Sequence, residues 1–358
     1  MKKYGQAVFL ILLTAAAAAA WFYGSPIRRR YSSKGIQVSL PSHLAAGTAR
    51  IEIRWRNIHT TLERKNGRWF LAERGGRPAS SARISALLSS LGTLQPVKEV
   101  RNVSPEVLRE LRLIENDSKL VPGVRVTLFD AGGRQLFSML LGKGHFVRPE
   151  PGMPPSQDAE GRYVLIGGKV YLIPVVFENC HPVPAVWVEP LRLHELRKAL
   201  RMNVLQFENG RGRPVWSVYR KSTAHPFTLS GPSETLAENR RLSALADRLS
   251  KPFTMDYFEP GKDWKAPRSL RLGIAGADGF TYVLDIFEGP AEYDAASLHV
   301  AYDPKKVLRY AGETDGQFRK RCDDLQRRFT EEKSISDGLM FRVPKDLSTL
   351  VNTVPKRK

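Results

Sequence analysis

Histidine and cysteine side chains, which are common metal ligands and nucleophiles, are widely spaced in this sequence. The histidines are His43, His59, His145, His181, His194, His225 and His299. They form no H-x-H or H-E-x-x-H pair. Cys180 precedes His181, but neighbouring side chains in a strand point to opposite faces, and a nucleophile needs its base close in space. We therefore predict no metal site, no cofactor and no catalytic residue, and we expect that the protein is not an enzyme.

The chain has two cysteines, Cys180 and Cys322, which are too few for a disulfide framework. In an oxidising compartment they could form one bridge, whereas two unpaired buried thiols are the simpler interpretation. Within "GQFRKRCDDLQRRFTEEK", Phe318, Cys322, Leu325 and Phe329 are spaced as one apolar stripe of a helix. This spacing predicts that Cys322 faces a core.

Three pairs of neighbouring carboxylates could supply a general acid and a general base: Asp158 with Glu160, Asp323 with Asp324, and Glu331 with Glu332. Each pair lies in a predicted loop or on a solvated helix face, where charges are common, so a glycosidase-like site is not favoured. A hydrolase assembled from distant loops remains an alternative. The proline-rich stretch from His145 to Glu160 would then form the lip of its site.

Basic and aromatic residues interleave at Arg54, Trp55, Arg56, Arg68 and Trp69, as they do in some strands that bind nucleic acid. Alternation along a strand, however, places the rings on one face and the charges on the other. Rings that are turned to the core cannot stack on bases. The pattern therefore favours packing, and we do not expect nucleic-acid binding.

The composition is that of a folded protein with a strong basic bias. At 358 residues, 42% of them hydrophobic, the chain is long enough for about two domains. Its formal charge of +20 suggests a polyanionic partner such as an anionic lipid, an acidic polymer or a nucleic acid. The sign of the charge does not choose among these partners.

An uncharged stretch from Tyr4 to Tyr23 lies near the start of the sequence. As a helix it would span roughly 30 Å, the thickness of the hydrocarbon layer of a membrane. We predict an N-terminal transmembrane anchor or signal segment over residues 1–25 and favour an uncleaved anchor. The alternatives are cleavage within Ala15–Ala20, which offers several A-x-A sites, and an ordinary buried helix.

Residues 26–49 form a basic linker in which Pro, Ser and Gly are mixed with cations. Arg28, Arg29, Arg30 and Lys34 follow the uncharged stretch, and we predict that they contact the anionic membrane surface. The two lysines at positions 2 and 3 nearly balance them across the segment. The positive-inside rule therefore leaves the orientation open.

Residues 50–190 are predicted to form a first α+β unit, in which helices cover antiparallel hairpins. The hairpin signals are Asn66-Gly67 after the alternating Ile51, Ile53 and Trp55, an Asp-Ala-Gly-Gly turn that begins at Asp130, and a tight turn at Gly167-Gly168.

Two helices are indicated within this first unit. Ser80 or Ser81 can cap a helix that stops before Pro96, and the apolar face of this helix consists of Ile84, Leu87, Leu88 and Leu91. Ser104 followed by Pro105 predicts the start of a second helix over "SPEVLREL".

The second half, residues 191–358, repeats this order as a related α+β unit with a C-terminal helix. The stretch from Trp69 aligns with the stretch from Phe227 without a gap, so that Leu71 falls on Leu229, Ile84 on Leu242, Leu87 on Leu245, and Leu91 on Leu249. A linking helix is predicted over "EPLRLHELRKAL", and "SLHVAYDPKKVLRYA" is predicted to match the second hairpin. The expected fold is therefore α+β, with an N-terminal transmembrane helix and two tandem related units.

The first half contains Trp69 and Leu71, "ISALLSSLGTL", "LRELRL", "VRVTLFDAGGRQLFSMLLGK" with Gly142, and "GRYVLIGGKVYLI" with Tyr163 and Tyr171. In these residues it resembles the bacterial domain-of-unknown-function 4340 family (DUF4340) over roughly Ile51 to Pro190. Where the family has a glycine in its "GL" step, this chain has Arg112-Leu113. The resemblance implies a tether at the N-terminus, a location outside the cytoplasm, and ABC-type export or gliding-motility transporters as neighbours.

Taken with this resemblance, the sequence predicts a membrane-tethered, non-catalytic envelope protein that acts as a scaffold or accessory subunit. Its expected partners are membrane lipid and an envelope protein, for which the resemblance implies ABC transporter subunits. The expected location is the bacterial inner membrane, with one crossing and the bulk of the chain in the periplasm or cell exterior. The alternative is an electrostatic binding module for an acidic polymer or an anionic lipid surface.

Overall fold

The computed structural model describes residues 44–115, 120–146, 159–191, 193, 198–230, 235–236, 239–258, 266–336 and 339–353. Over these ranges the fold is mixed helix and sheet, with mostly antiparallel strands and few helices, which confirms the predicted fold class at this level. The predicted anchor and the cations Arg28, Arg29, Arg30 and Lys34 lie outside the described residues. In the described ranges, no helix has the length and apolar character needed to cross a membrane.

The chain divides into two compact units. Unit 1 comprises the residues up to Ala72 together with Ala79–Trp187, and unit 2 comprises Glu73–Pro78 together with Val188–Lys358. Among the described residues, the strands form two sheets of nine strands each.

The strands of the first sheet are β1 (Arg50–Trp55), β2 (Ile58–Lys65), β3 (Arg68–Leu71), β4 (Arg77–Pro78), β5 (Lys98–Val100), β6 (Val124–Phe129), β7 (Gln135–His145), β8 (Gly161–Ile166) and β9 (Lys169–Ile173). They lie in the order β4-β3-β2-β1-β6-β7-β8-β9-β5. The accompanying helices are α1 (Leu44–Gly47), α2 (Ser81–Gly92) and α3 (Pro105–Glu110), and short 3-10 turns occur at Ala72–Arg74 and Pro184–Trp187.

The three hairpin turns predicted for the first half are confirmed. Asn66 and Gly67, between β2 and β3, have φ values of 51° and 78°, as a type I′ turn requires. Asp130 accepts hydrogen bonds from two later backbone N–H groups and so closes the turn between β6 and β7. Gly167-Gly168 joins β8 to β9, and both residues have positive φ.

The core of unit 1 follows the predicted pattern. Strand β1 buries Ile51 and Ile53 completely, since these residues share one face of the strand. Helix α2 buries the face predicted for it: Ile84, Leu87, Leu88 and Leu91. Ser80 is the N-cap residue of α2, without a side-chain capping bond, whereas Ser104 accepts a hydrogen bond from the Val107 N–H at the start of α3.

The strands of the second sheet are β10 (Ala199–Glu208), β11 (Arg211–Tyr219), β12 (Thr228–Leu229), β13 (Thr235–Leu236), β14 (Asp256–Tyr257), β15 (Arg268–Gly276), β16 (Asp278–Phe287), β17 (Tyr293–Val307) and β18 (Met340–Pro344). Their order is β13-β12-β11-β10-β15-β16-β17-β18-β14. The helices of unit 2 are α4 (Asn239–Ser250), α5 (Asp315–Ser336) and α6 (Lys345–Asn352).

Strand for strand, the order of the second sheet repeats that of the first, with β10 in the place of β1 and β18 in the place of β9. Helices α2 and α4 start 158 positions apart, at Ser81 and Asn239, and end with the same offset. The aligned leucines Leu242, Leu245 and Leu249 are buried, as their counterparts in α2 are. The alignment without a gap therefore joins residues in equivalent elements.

The prediction of a second hairpin over Ser297–Ala311 was wrong. Strand β17 continues to Val307, and its antiparallel partner β18 follows only after α5. Pairing with β16 resumes at Val307 after Tyr302, so Asp303 and Pro304 lie in a bulge of β17, where the Lys305 N–H donates to Oδ1 of Asp303. The predicted helix over residues 316–333 is confirmed as α5, but β18 and α6 follow it.

Of the predicted linking helix over residues 189–200, residues 192 and 194–197 lie outside the described residues, and the described residues 189–191 and 193 are not helical, so the prediction was wrong there. Its last two residues, Ala199 and Leu200, are strand and begin β10. The end of that helix was therefore predicted wrongly, because the pairing of β10 with its neighbouring strands determines the conformation there.

Candidate interaction site

Helix α5 distinguishes the second sheet from the first. In the first sheet a two-residue turn joins β8 to β9, whereas α5 separates the corresponding β17 and β18. Along β17, the pairing with β18 covers Tyr293–Ser297 at the start of the strand. Tyr302, further along β17, instead contacts Phe329 of α5, with 6.0 Å between the ring centres. The helix therefore packs over the face that β16 shares with the part of β17 that β18 does not reach.

A capping box starts α5. The Thr314 N–H donates to Oε1 of Gln317 at 2.9 Å, and the Gln317 N–H donates to Oγ1 of Thr314 at 3.3 Å. These reciprocal bonds satisfy backbone donors that a helix start leaves unpaired. Asp315 adds a negative charge in the first turn, where it is favourable. The local sequence thus fixes where the helix leaves the turn after β17.

The inner side of α5 is apolar. Leu325 is buried, and the Phe329 ring packs 6.5 Å from the Phe280 ring of β16. Cys322 is half-buried, and its carbonyl accepts a hydrogen bond from the Tyr302 hydroxyl at 3.5 Å. The predicted stripe is therefore confirmed at Leu325, whereas Cys322 is only partly enclosed.

A polar cluster fastens α5 to β16. Nε of Arg328 donates to Oε1 of Glu332 at 2.6 Å, and its Nη2 donates to the Tyr282 hydroxyl at 2.9 Å. The Tyr282 hydroxyl donates in turn to Oε2 of Glu332 at 2.8 Å. Nη1 of Arg328 lies 3.7 Å from Oδ2 of Asp278. The Arg328 guanidinium therefore contacts two carboxylates and a phenol.

Burial changes the titration of this cluster. It raises the pKa of the Asp278 carboxyl above its usual range, although the Phe280 N–H and the cations Arg328 and Lys198 oppose the change. Burial also raises the pKa of Tyr282, and the Glu332 carboxylate adds to this effect. Tyr282 therefore remains a neutral hydrogen-bond donor at physiological pH, which suits a structural link between helix and strand.

The turn that leads from β17 into α5 exposes large side chains. Leu308 and Tyr310 are 46% and 50% exposed. Cζ of Arg321 lies 4.1 Å from the centre of the Tyr310 ring, and Cζ of Arg309 lies 4.8 Å from that of Phe318. We call Leu308, Arg309, Tyr310, Phe318 and Arg321 the α5 surface. Its guanidinium groups lie over aromatic rings at distances where cation–π attraction holds both groups in place.

Glu313 fixes one arginine of the α5 surface. Arg321 donates from Nε to Oε1 of Glu313 at 2.8 Å and from Nη2 to Oε2 at 2.7 Å. This two-point geometry is the strong form of the arginine–carboxylate pair. The hydrogen bonds from Arg321 lower the pKa of Glu313 to about 2, so the pair stays charged at physiological pH.

An open depression of about 560 Å³ adjoins the α5 surface, and its lining residues are Tyr310, Ala311, Gly312, Glu313, Gln317, Lys320, Arg321 and Asp324. Tyrosine and arginine are enriched where protein–protein interfaces concentrate their binding energy. An exposed ring with firmly held neighbours loses little conformational freedom on binding. The geometry is therefore suited to docking a protein.

Of the residues weighed for chemistry from the sequence, His43, Asp158 and His194 lie outside the described residues, as do residues 147–158 of the proline-rich stretch. Cys180 and Cys322 are both free thiols, and burial raises the pKa of Cys180, which keeps it protonated at neutral pH. Asp323 and Asp324 are exposed on α5. Across the described ranges, no three His, Cys, Asp or Glu side chains are placed to hold a metal ion.

The prediction that both tryptophan rings turn to the core was wrong for one of them. Trp69 is buried, but Trp55 is only half-buried. Trp55 is the last residue of β1, and its indole N–H donates to the Pro122 carbonyl at 3.2 Å. The end of the strand, with this hydrogen bond, keeps the ring near the surface.

Sequence reasoning missed the α5 surface. Its members lie on both sides of a strand-to-helix turn, and no single period in the sequence connects Tyr310 with Arg321. The capping pattern of Thr314 and Gln317 was the available signal, since it places the start of the helix. Searches with protein-family models, among curated proteins and among solved structures give no match to this chain.

Proposed function

We propose that this chain is a membrane-tethered, non-catalytic protein of the bacterial cell envelope that acts as a scaffold or accessory subunit. The α5 surface is its docking site for a protein partner. The observation that carries the proposal is the pair of sheets with one strand order, the second of which gains a helix flanked by exposed aromatic and arginine side chains. Duplication of one α+β unit, followed by growth of α5 in the second copy, accounts for both the likeness and the difference.

Two features of unit 1 support kinship with the DUF4340 family. Arg112, at the position of the family's glycine, has a φ of 56°, in the region that glycine adopts without cost. At Gly142, an added Cβ would overlap the Leu111 carbonyl and the Leu113 side chain. On this kinship the partner is a subunit of an ABC-type export or gliding-motility transporter. The protein crosses the inner membrane once, with its bulk in the periplasm or cell exterior.

A reporter tests the location. Alkaline phosphatase, which is active only outside the cytoplasm, is fused to the C-terminus of the full chain and compared with a fluorescent protein that matures only inside. We expect phosphatase activity and recovery of the chain with the inner membrane. Fluorescence, or recovery of the chain in the cytosolic fraction, would contradict the tether and the location.

A pull-down tests the docking site. The tagged full chain is purified from solubilised membranes, and its stoichiometric partners are identified and quantified. We expect Tyr310→Ala to reduce recovery of the partner roughly tenfold, the size of a hot-spot loss, whereas Phe146→Ala, at an exposed ring of unit 1, leaves recovery unchanged. No stoichiometric partner, or equal recovery with both variants, would overturn the proposal.

A further inference from the structure

A second exposed apolar patch lies at the turn between β1 and β2. Leu120 and Val121 are 40% and 44% exposed. The Trp55 indole N–H donates to the carbonyl of the adjacent Pro122 at 3.2 Å, and Nη2 of Arg56 donates to the Leu120 carbonyl at 3.3 Å. These contacts bring Trp55, Arg56, Leu120 and Val121 onto one surface, which we call the turn patch.

The turn patch carries excess positive charge. Cζ of Arg56 lies 5.0 Å from the centre of the Trp55 ring, and within the described part of the chain no carboxylate is at ion-pair distance from its guanidinium. Beside it, Arg50 and Arg54 share the single carboxylate of Glu52. The Arg56 guanidinium is therefore held by the Trp55 ring and the Leu120 carbonyl, and neither contact neutralises its charge.

The backbone at Arg56 is unusual for its side chain. Its φ is 54°, in the left-handed region that favours glycine and asparagine. In the second sheet the corresponding turn, between β10 and β11, is Asn209-Gly210, with φ values of 51° and 77°. The first sheet thus has a cation where the second has the residue pair that such a turn prefers.

We propose that the turn patch rests on an anionic lipid bilayer, with Arg56 against lipid phosphates and Trp55, Leu120 and Val121 among the headgroups. Tryptophan is enriched at membrane–water interfaces, and exposed aliphatic side chains strengthen binding there by burying apolar area. Arginine matches phosphate geometry and is attracted to an anionic leaflet. This contact goes beyond the proposed function, which requires only the N-terminal tether and the α5 surface.

Lipid quenching of a site-specific fluorophore tests the contact. The full chain carries Cys322→Ser and Val121→Cys, so that the label goes to position 121 while Cys180 stays buried. Vesicles contain a quencher-bearing lipid in phosphatidylcholine, either alone or mixed with phosphatidylglycerol. We expect strong quenching with the anionic vesicles and a loss of about fivefold with Arg56→Asn, which copies the turn of the second sheet.

A label at Ala131→Cys, an exposed position in the β6–β7 turn at the opposite end of the first sheet from Trp55, is the matched control and is expected to stay unquenched. Equal quenching at both positions, or none at position 121 with anionic vesicles, would overturn the contact. The latter result is the one expected if the patch instead binds a protein.

Retention on neutral vesicles after a high-salt wash reports the tether separately. Loss of this retention with quenching preserved on anionic vesicles would refute the tether and support the turn patch. Retention on both kinds of vesicle without quenching at position 121 would refute the turn patch alone.

Discussion

The two sheets have the same strand order, but the connection between β8 and β9 differs from the corresponding connection between β17 and β18. In the first, Gly167-Gly168 turns β9 back beside β8, and neither strand extends far beyond the other. In the second, β17 continues well past the end of β18, and α5 packs against the exposed length. The additional length of β17, together with the helix that packs over it and β16, adds a new surface to an otherwise repeated unit.

The substitution with the largest expected effect disrupts the packing beneath α5. Phe280 is buried, and its ring contacts those of Tyr282, Tyr302 and Phe329. We expect Phe280→Ala to lower the free energy of unfolding by about 3–5 kcal/mol, because it leaves a cavity between helix and sheet. Chemical denaturation measures this change. The exposed Phe146→Ala should stay within about 0.5 kcal/mol of wild type, and an equal loss at both positions would contradict the packing described.

Two glycines with positive φ provide the next comparison. Gly279, near the start of β16 where the pairing with β17 shifts register, has a φ of 78°, and an added Cβ would overlap the Asp303 carbonyl. Gly133, in the β6–β7 turn, has a φ of 80°, and an added Cβ would meet nothing. We expect Gly133→Ala to cost about 1–2 kcal/mol for backbone conformation alone.

Gly279→Ala should cost about 1–3 kcal/mol more than Gly133→Ala, because the crowded backbone around it must move. Thermal unfolding of the two variants checks the difference. Equal losses would show that a Cβ fits at position 279, which would contradict the close approach of the Asp303 carbonyl.

The pH dependence of stability reports on Glu313, which pairs with Arg321 of the α5 surface. The folded pKa of Glu313 is about 2, below its ordinary value of 4.5. The lowered pKa means that its carboxylate stabilises the fold above about pH 4.5 and that this contribution is lost as the pH falls towards 2.

We expect Glu313→Gln to be less stable than wild type at pH 7 and to converge with it as the pH falls through this range. Denaturation at a series of pH values measures the gap. Glu331→Gln, at an exposed position of α5, is the control substitution. A constant gap for Glu313→Gln would contradict its pairing with Arg321.

The smallest effect comes from exchanging residues between the two first turns. Arg56→Asn relieves about 1 kcal/mol of left-handed strain and loses about 0.5–1 kcal/mol of cation–π attraction, so its stability should stay close to that of wild type. Asn209→Arg should cost about 1 kcal/mol, since it introduces the strain without the Trp55 ring. A marked loss of stability in Arg56→Asn would mean that Arg56 is a structural requirement of its turn.

Local signals predicted much of the fold. Asn66-Gly67 and Gly167-Gly168 carry the chemistry of tight turns, and the spacing of Ile84, Leu87 and Leu91 identifies the buried face of α2. The same spacing recurs in α4, because α2 and α4 bury leucine or isoleucine at equivalent positions. It therefore also predicted the offset of 158 positions between the helix starts at Ser81 and Asn239. These features depend on residues that are close together in the chain.

Features that depend on distant pairing were not predictable in the same way. The turn at Arg56 has no sequence signature, since arginine rarely adopts a positive φ. Strand β17 passes through Pro304 because β16 pairs with it on both sides of that point. The α5 surface exists only after Leu308, Tyr310 and Arg321 meet at the start of α5, so its chemistry could not be found from any one segment.

The most direct test of the α5 surface is photocrosslinking in living cells. The crosslinking amino acid p-benzoylphenylalanine replaces Tyr310 in the full chain, and in a second strain it replaces Val103, an exposed residue of unit 1. We expect one dominant adduct with an envelope protein at position 310 and none of that adduct at position 103. No adduct at position 310, or the same adducts at both positions, would contradict this expectation.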